Sequence, residues 1–411
     1  MKNRVTKRKR VWFILAMGLI MLLLFTACGP ALPVEEGKVV ALGYMSPFTG
    51  PGATEAIALS AVLDYVRYFN EGENIPGVTL QVTWVDVQIH LDRFASAYSR
   101  LRDQGIFIMM SNQTQGIEAY HSRFERDQIP LYTGNPCKEY VYPPGWYYFR
   151  SPTWGEQAAA NFDYIMENWQ EERPPKLALM LVDTGLGKQP IPEAADYAES
   201  LGIELLPLEF LPSTYMVLDA TVQLLRISEH EADFAYITGI QPTSGPVLRD
   251  AERLGLLDQI QFMGMEPTGG RPLIELAGVA GEGYLYGRTI PTFGEIEVPG
   301  VKLMLDKQME YRGRQAKEDE YITGWVGASI VCEAIRKAVE NVGYENLDGP
   351  AVKEGFDSIK DFNVYGLATI TYNPPYDHRG SDKLAIYQVR GGEIVRVTDW
   401  RSAPTLMPEE S

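Results

Sequence analysis

The apolar positions of this chain alternate between two periods. "KVVALGYM" (38–45) is apolar and β-rich, and from Thr54 to Glu71 the residues Ile57, Ala61, Val62, Tyr65, Val66 and Phe69 fall on one helical stripe. That pair predicts a β-α unit. "VTLQVTWVDV" (78–87) alternates apolar and polar positions, "LDRFASAYSRLRDQG" (91–105) has helical spacing with a glycine stop, and "IFIMMS" (106–111) is a continuous apolar run suited to a central parallel strand. "KLALMLVD", "FAYITGI" and "IQFMGM" repeat the rhythm, each followed by a helix-like segment. Strands spaced by helices predict a parallel sheet with right-handed crossovers, hence an α/β fold. Past residue 290 the pattern changes to two long helices, Val298 to Arg314 and Tyr321 to Val342. Beyond Gly366 it reads as strands, "LATITYN" and then a terminal hairpin, "KLAIYQVRGGEIVRVTDW", that turns at Gly391 and Gly392.

The amino-terminal stretch follows a different rule. "MKNRVTKRKR" holds six Lys or Arg and no acid, and Val11 to Phe25 is an uncharged apolar run, the layout of a signal peptide. The run falls short of the roughly 20 residues that a permanent membrane helix needs. "LFTAC", ending at Cys28, resembles the bacterial lipobox, which implies cleavage after residue 27, acylation of Cys28 and attachment to a membrane through its lipid. Residues 28–37, rich in Pro, Gly and acids without periodicity, read as a tether.

With 411 residues and 45% hydrophobic side chains, the chain is long enough for two domains. Loss of residues 1–27 takes six positive charges from the formal −17 and leaves −23, a surface that repels phosphate backbones and argues against nucleic acid as a partner. Cys332 lies on the apolar face of a helix and Cys137 in a Pro-rich loop; nothing in their positions demands a disulfide.

Motifs for catalysis are scarce. His90, His121, His230 and His378 are scattered without metal-ligand spacing, there is no C-x-x-C, and neither a nucleophile elbow, a Walker loop nor a G-x-G-x-x-G follows the first strand. The reading is therefore a non-enzyme without metal or cofactor. Binding is better supported, because ligands of open parallel sheets sit off the carboxyl ends of the strands and those positions are polar here. "IFIMM" runs into Ser111, Asn112, Gln113 and Thr114; "IPLY" into Thr133, Gly134 and Asn135; "FAYITG" toward Gln241; "IQFMGM" into Glu266. Hydroxyls and amides at a helix start suit a carboxylate, and Glu266 suits a cation. Ser111 and Thr114 equally suit a helix cap, and Glu266 a solvated loop.

"VALGYMSPFTGP", "GIFIMMSNQTQ", "IPLYTGNP", "YYFRSP" and "FAYITGIQPTSGPVLRDAERLGLLDQIQFMGMEP" together resemble the leucine/isoleucine/valine-binding type of periplasmic solute receptors that serve ABC transporters. The resemblance spans nearly the whole chain after Cys28. It implies two doubly wound parallel-sheet lobes joined by a three-strand hinge, with a small-molecule ligand clamped between them and permease subunits as partners. On that basis residues 38–150 with 291–364 form the first lobe, 151–290 with 365–402 the second, and 403–411 a tail, with crossings near Arg150–Pro152, Thr289–Pro291 and Tyr365–Leu367. The resemblance implies that Ser111, with Asn112 and Thr114 beside it, and the loop Thr133–Asn135–Cys137 hold the ends of an amino acid, and that Glu266 takes its ammonium from the other lobe. Leu186, Gln241 and Cys137 stand where relatives commonly carry a tyrosine, an aromatic and a hydroxyl, which opens the ligand class to another amino acid, an amide or a urea-like solute. Tyr44, Tyr132 and Trp154 fall where pocket walls are expected. The location implied is the outer face of the cytoplasmic membrane. The same fold also serves as the ligand-sensing half of signalling systems, and an envelope enzyme on this scaffold is the remaining alternative.

Overall fold

The computed structural model describes residues 37–212 and 216–406. The expectations for the signal peptide, for Cys28 and for most of the tether concern residues outside that range, as does the last part of the tail. Among the described residues no helix is long and apolar enough to cross a membrane.

Two sheets organise the chain. The first is built by β1 (Lys38–Ser46), β2 (Val78–Asp86), β3 (Met109–Met110), β4 (Leu131–Tyr132) and β5 (Tyr147–Tyr148), in the order β2-β1-β3-β4-β5. The pairs β1–β3, β3–β4 and β4–β5 are parallel. Helices α1 (Glu55–Glu71), α2 (Leu91–Asp103), α3 (Thr114–Arg126) and the short α4 (Lys138–Val141) connect them. The apolar run at 106–111 narrows to a two-residue ladder, in which Met109 and Met110 pair with Gly43 and Tyr44 of β1 on one side and with the equally short β4 on the other.

The second sheet takes β6 (Lys176–Leu181), β7 (Glu204–Leu205), β8 (Glu209–Phe210), β9 (Phe234–Ile237), β10 (Gln261–Gly264) and β11 (Leu285–Arg288). Strands β7-β6-β9-β10-β11 run parallel, and α5 (Trp154–Asn168), α6 (Gly185–Lys188), α7 (Ile191–Ser200), α8 (Thr221–Glu229), α9 (Gln241–Arg253) and α10 (Arg271–Ala277) intervene. The expected hairpin closes this sheet, after three helices that belong with the first: α11 (Pro299–Arg312), α12 (Asp319–Val342) and α13 (Gly349–Asp357). A two-stranded ribbon, β12 (Phe362–Asn363) with β13 (Thr369–Ile370), precedes it. Then β14 (Lys383–Arg390) adds antiparallel to β11, β15 (Glu393–Arg396) pairs with β14, and β16 (Arg401–Ser402) completes the edge. Gly391 and Gly392, at φ 59° and 74°, make the turn between β14 and β15 in the conformation that tight hairpins require.

Helix α12 is buried on nearly every side, with Trp325, Val326, Ile330, Val331 and Cys332 in one core with α1, α13 and the first sheet. It packs so closely on α1 that a Cβ on Gly324 would lie 2.2 Å from the Ala58 carbonyl. Cys332 behaves as the small hydrophobe its helical stripe predicts, and Cys137 is likewise a free, buried thiol. A second core is continuous between the sheets: Met45, Phe94, Leu131 and Phe149 join Leu177, Tyr236, Met263 and Ile386. A third fills the far face of the second sheet.

One expected boundary differs. Leu367, Ile370 and Tyr372 pack in the core of the first sheet, and the Tyr372 hydroxyl donates to the Phe149 carbonyl at 2.7 Å. The chain therefore does not cross at Tyr365–Leu367; it reaches the second sheet only at Lys383, after Gly380 has turned beside Phe149. The run "LATITYN" alternates correctly for a strand, but the partner it finds is the short β12.

Candidate functional site

The loops after the parallel strands converge on one cleft between the sheets, where ligands of such sheets are expected. Its cavity volume is about 170 Å3. An apolar cavity of about 150 Å3 holds benzene, so the space suits a guest of roughly that size.

On the first side, β3 leads into Asn112, Gln113 and Thr114, and β4 into Gly134 and Asn135, all of which line the cavity. Asn112 ties these loops together. Its Nδ2 donates to Glu55 Oε2 at 2.9 Å, its Oδ1 accepts from the Gly134 N–H at 2.7 Å, and its carbonyl accepts from Asn135 Nδ2 at 2.7 Å. Ser111 and Thr133 sit behind this wall. The Ser111 hydroxyl accepts from the Gln113 N–H and that of Thr133 from the Asn135 N–H, so each fixes a loop and neither is among the lining residues. Cys137 is also behind the wall, with its thiol on the Gln189 side chain, and burial pushes that thiol well above its ordinary pKa.

On the second side, Trp154 opens α5, Leu186 lies on the short α6 that follows β6, and Ile240 and Gln241 open α9; all four line the cavity. The α5 start is set by a capping box in which Thr153 and Glu156 satisfy each other's backbone N–H groups. Glu266 lines the cavity after β10, in a short turn made possible by two glycines. A Cβ on Gly269 would enter the Tyr286 ring at 2.4 Å, and Gly270 has φ 93°. Tyr44 and Tyr132 border a small side cavity, about 10 Å3, that shares Asn112, Gly134 and Thr323 with the main one. Tyr44 donates to Glu55 Oε2, whereas the buried Tyr132 hydroxyl has no partner among the described residues.

Glu266 is not a bare carboxylate. Arg150 Nη2 donates to its Oε1 at 3.3 Å, and Thr289 Oγ1 donates to its Oε2 at 2.9 Å. The Arg150 guanidinium also donates to Thr289, so the segments after β5, β10 and β11 are knotted together at the base of the cleft. Arg288 forms a second buried pair, donating to Asp319 Oδ2 at 3.2 Å. Burial works against the Arg288 charge, but Asp319, Tyr286 and Glu266 together outweigh it and hold the guanidinium above its ordinary pKa.

Two further acids line the cavity with no ion pair to either among the described residues. Glu55, at the start of α1, has only neutral donors, from Tyr44, Ser46 and Asn112, and burial raises its pKa against their pull. Glu320, in the first turn of α12, accepts from Gln241 Nε2 at 2.9 Å through Oε1. Its Oε2 is buried with no partner among the described residues, and its pKa is pushed up to about 7 by burial and then by neighbouring Asp319. The Gln241–Glu320 bond spans the cleft, as does the Lys138–Glu193 ion pair at 3.0 Å. Both amide atoms of Gln113 (3% exposed) and the indole N–H of Trp154 (4% exposed) also lack partners among the described residues. Buried polar atoms left without partners cost about 1–3 kcal/mol each, so a cavity walled by them favours a polar guest. Among the described residues no cluster of His, Cys, Asp and Glu is placed to hold a metal ion.

Glu55, Arg150, Arg288, Asp319 and Glu320 are absent from the site read from the sequence. Arg150 was visible only as part of "YYFRSP" at a crossing. Acids in the first turns of helices look like ordinary dipole partners, and nothing local shows that residues 55 and 320 share a cavity.

The family described as periplasmic binding protein matches residues 39–393. A branched-chain amino acid ABC transporter protein from Thermus thermophilus, solved with bound valine, is 25% identical with a TM-score of 0.81 over 89% of this chain and 97% of its own. A leucine-binding protein from Thermotoga maritima (17%, TM-score 0.73, 87% and 98% covered) and a fatty acid ABC transporter substrate-binding protein from Thermomonospora curvata (16%, 0.80, 89% and 93%) share the fold. No curated protein sequence matches the chain. The matched family and fold are those of substrate-binding receptors, not enzymes, and the chain belongs to the periplasmic binding protein family.

Proposed function

We propose that the protein is the receptor of an ABC importer, held at the outer face of the cytoplasmic membrane through a lipid on Cys28, and that it binds a small amino acid or amino-acid-like solute by closing its lobes. The observation that carries this reading is a cavity of about 170 Å3 between two sheets, walled from both sides by polar atoms without partners among the described residues. A guest with donors and acceptors satisfies Gln113, Trp154 and Glu320 together, which stabilises the closed form over any form that separates them. Thr114 and Asn112 at the start of α3, with the Gly134–Asn135 loop, suit the anionic end of such a guest. Glu266, with both oxygens engaged, orders the base of the cleft, and the ammonium role passes to Glu55 and Glu320.

A thermal-shift screen of amino acids, amides and ureas tests the reading. A ligand at a hundred times its dissociation constant adds about 2.7 kcal/mol of stability, a clear rise in melting temperature. No rise with any member of the three classes removes the proposal.

A further inference from the structure

The six charged side chains that line the cleft are four carboxylates and two guanidinium groups. Arg150 and Arg288 are engaged by Glu266 and Asp319, at 3.3 and 3.2 Å. Glu55 and Glu320 remain, with no ion pair to either among the described residues. They are neighbours: Gly324, one turn along α12 from Glu320, meets the backbone of Ala58, three residues along α1 from Glu55. Glu55 is also one of the like charges that disfavour ionisation of Glu320. Two like charges facing one small cavity repel, and removal from water adds to the cost, unless a proton stays on one of them or, above the pH at which it leaves, a cation sits between them.

An acidic pair alone would not define a site. Here the same cavity presents Gln113, 3% exposed with both amide atoms unpartnered, and the free indole N–H of Trp154. These are the groups that take the polar remainder of a guest once its charge has been met.

We infer that the guest of this cleft carries a net positive charge, with an ammonium or guanidinium nitrogen held between Glu55 and Glu320. The inference rests on the receptor reading above and names its ligand class: a basic amino acid or a small diamine, in preference to a zwitterion with an apolar side chain or to a neutral amide. In a basic amino acid the α-carboxylate faces the indole N–H of Trp154 and the start of α3, and the extra cation answers the excess of acid that a plain zwitterion leaves unbalanced.

Isothermal titration of the protein at pH 8 with L-lysine, putrescine, L-valine and urea decides it. At least one of the two cations is expected to bind tenfold or more tightly than valine and urea, and that margin is expected to shrink by tenfold or more in both Glu55→Gln and Glu320→Gln, about 1.4 kcal/mol each. Valine or urea binding as tightly as both cations overturns the inference and leaves the receptor reading standing. A margin that survives both substitutions also overturns it. Binding by none of the four overturns it as well, and the wider screen then judges the receptor reading separately. If a variant fails to fold, the four wild-type affinities alone decide between these outcomes.

Discussion

Two pairs of acids line this cleft, and they differ in what faces them. Glu266 and Asp319 each meet a buried arginine; among the described residues Glu55 and Glu320 accept hydrogen bonds only from neutral donors. The sequence singles out Glu266, by its place after an apolar strand, and is silent on the other three. The difference teaches that an acid in a binding cleft is read by its partners: a carboxylate whose charge is already met holds the scaffold, and one left uncompensated is poised for something that arrives.

The comparison breaks first at Arg150. Removing one member of a buried pair strands the other charge, so Arg150→Ala is expected to cost about 3–5 kcal/mol in denaturant unfolding. A cost below about 1 kcal/mol would mean that Glu266 is no more committed than Glu320. A smaller effect is expected at the loop that carries Glu266. Gly269→Ala drives a methyl into the Tyr286 ring, 2.4 Å away, at about 1–3 kcal/mol, and shifts Glu266 against Arg150. An unchanged unfolding midpoint would show that the turn has slack. The finest test concerns the uncompensated pair. The folded protein keeps a proton on Glu320 up to about pH 7, whereas the unfolded chain releases it near 4.5. Between those values the native state binds more protons, so this residue's contribution to stability falls as pH rises through the window. Glu320→Gln is therefore expected to match the parent near pH 4.5 and to be more stable than it at pH 8, measured by melting without ligand. A variant less stable at pH 8 would show that the bond from Gln241 depends on the ionised carboxylate and outweighs its burial.

The strand and helix periods made the fold legible, because burial on one face leaves a repeating mark: Ala61, Val62, Tyr65 and Phe69 on α1, and the apolar runs of β6, β9 and β10. Strand ends supplied part of the cleft, since Asn112, Thr114, Asn135, Gln241 and Glu266 do line it. Ser111 and Thr133 show the limit of that rule. Side chains alternate along an extended segment, so two of the hydroxyls face loop amides and their neighbours face the cavity. The remaining cleft residues were illegible for a different reason. Residues 55, 150, 288 and 320 meet only through long-range packing, such as the close approach of α1 and α12, and no local spacing encodes that. The third crossing was misplaced likewise, because Tyr372 bonds to Phe149, 223 residues away.

The apolar layer that runs beneath both sheets carries one more consequence. Met45 and Phe94 lie in the same oily continuum as Tyr236 and Ile386, so each half shares a layer with the other beside the core that is its own. Heating should give a single calorimetric endotherm, with van't Hoff and calorimetric enthalpies in agreement. A solute held at the mouth would then protect amides from hydrogen exchange as far away as the carboxyl-terminal hairpin.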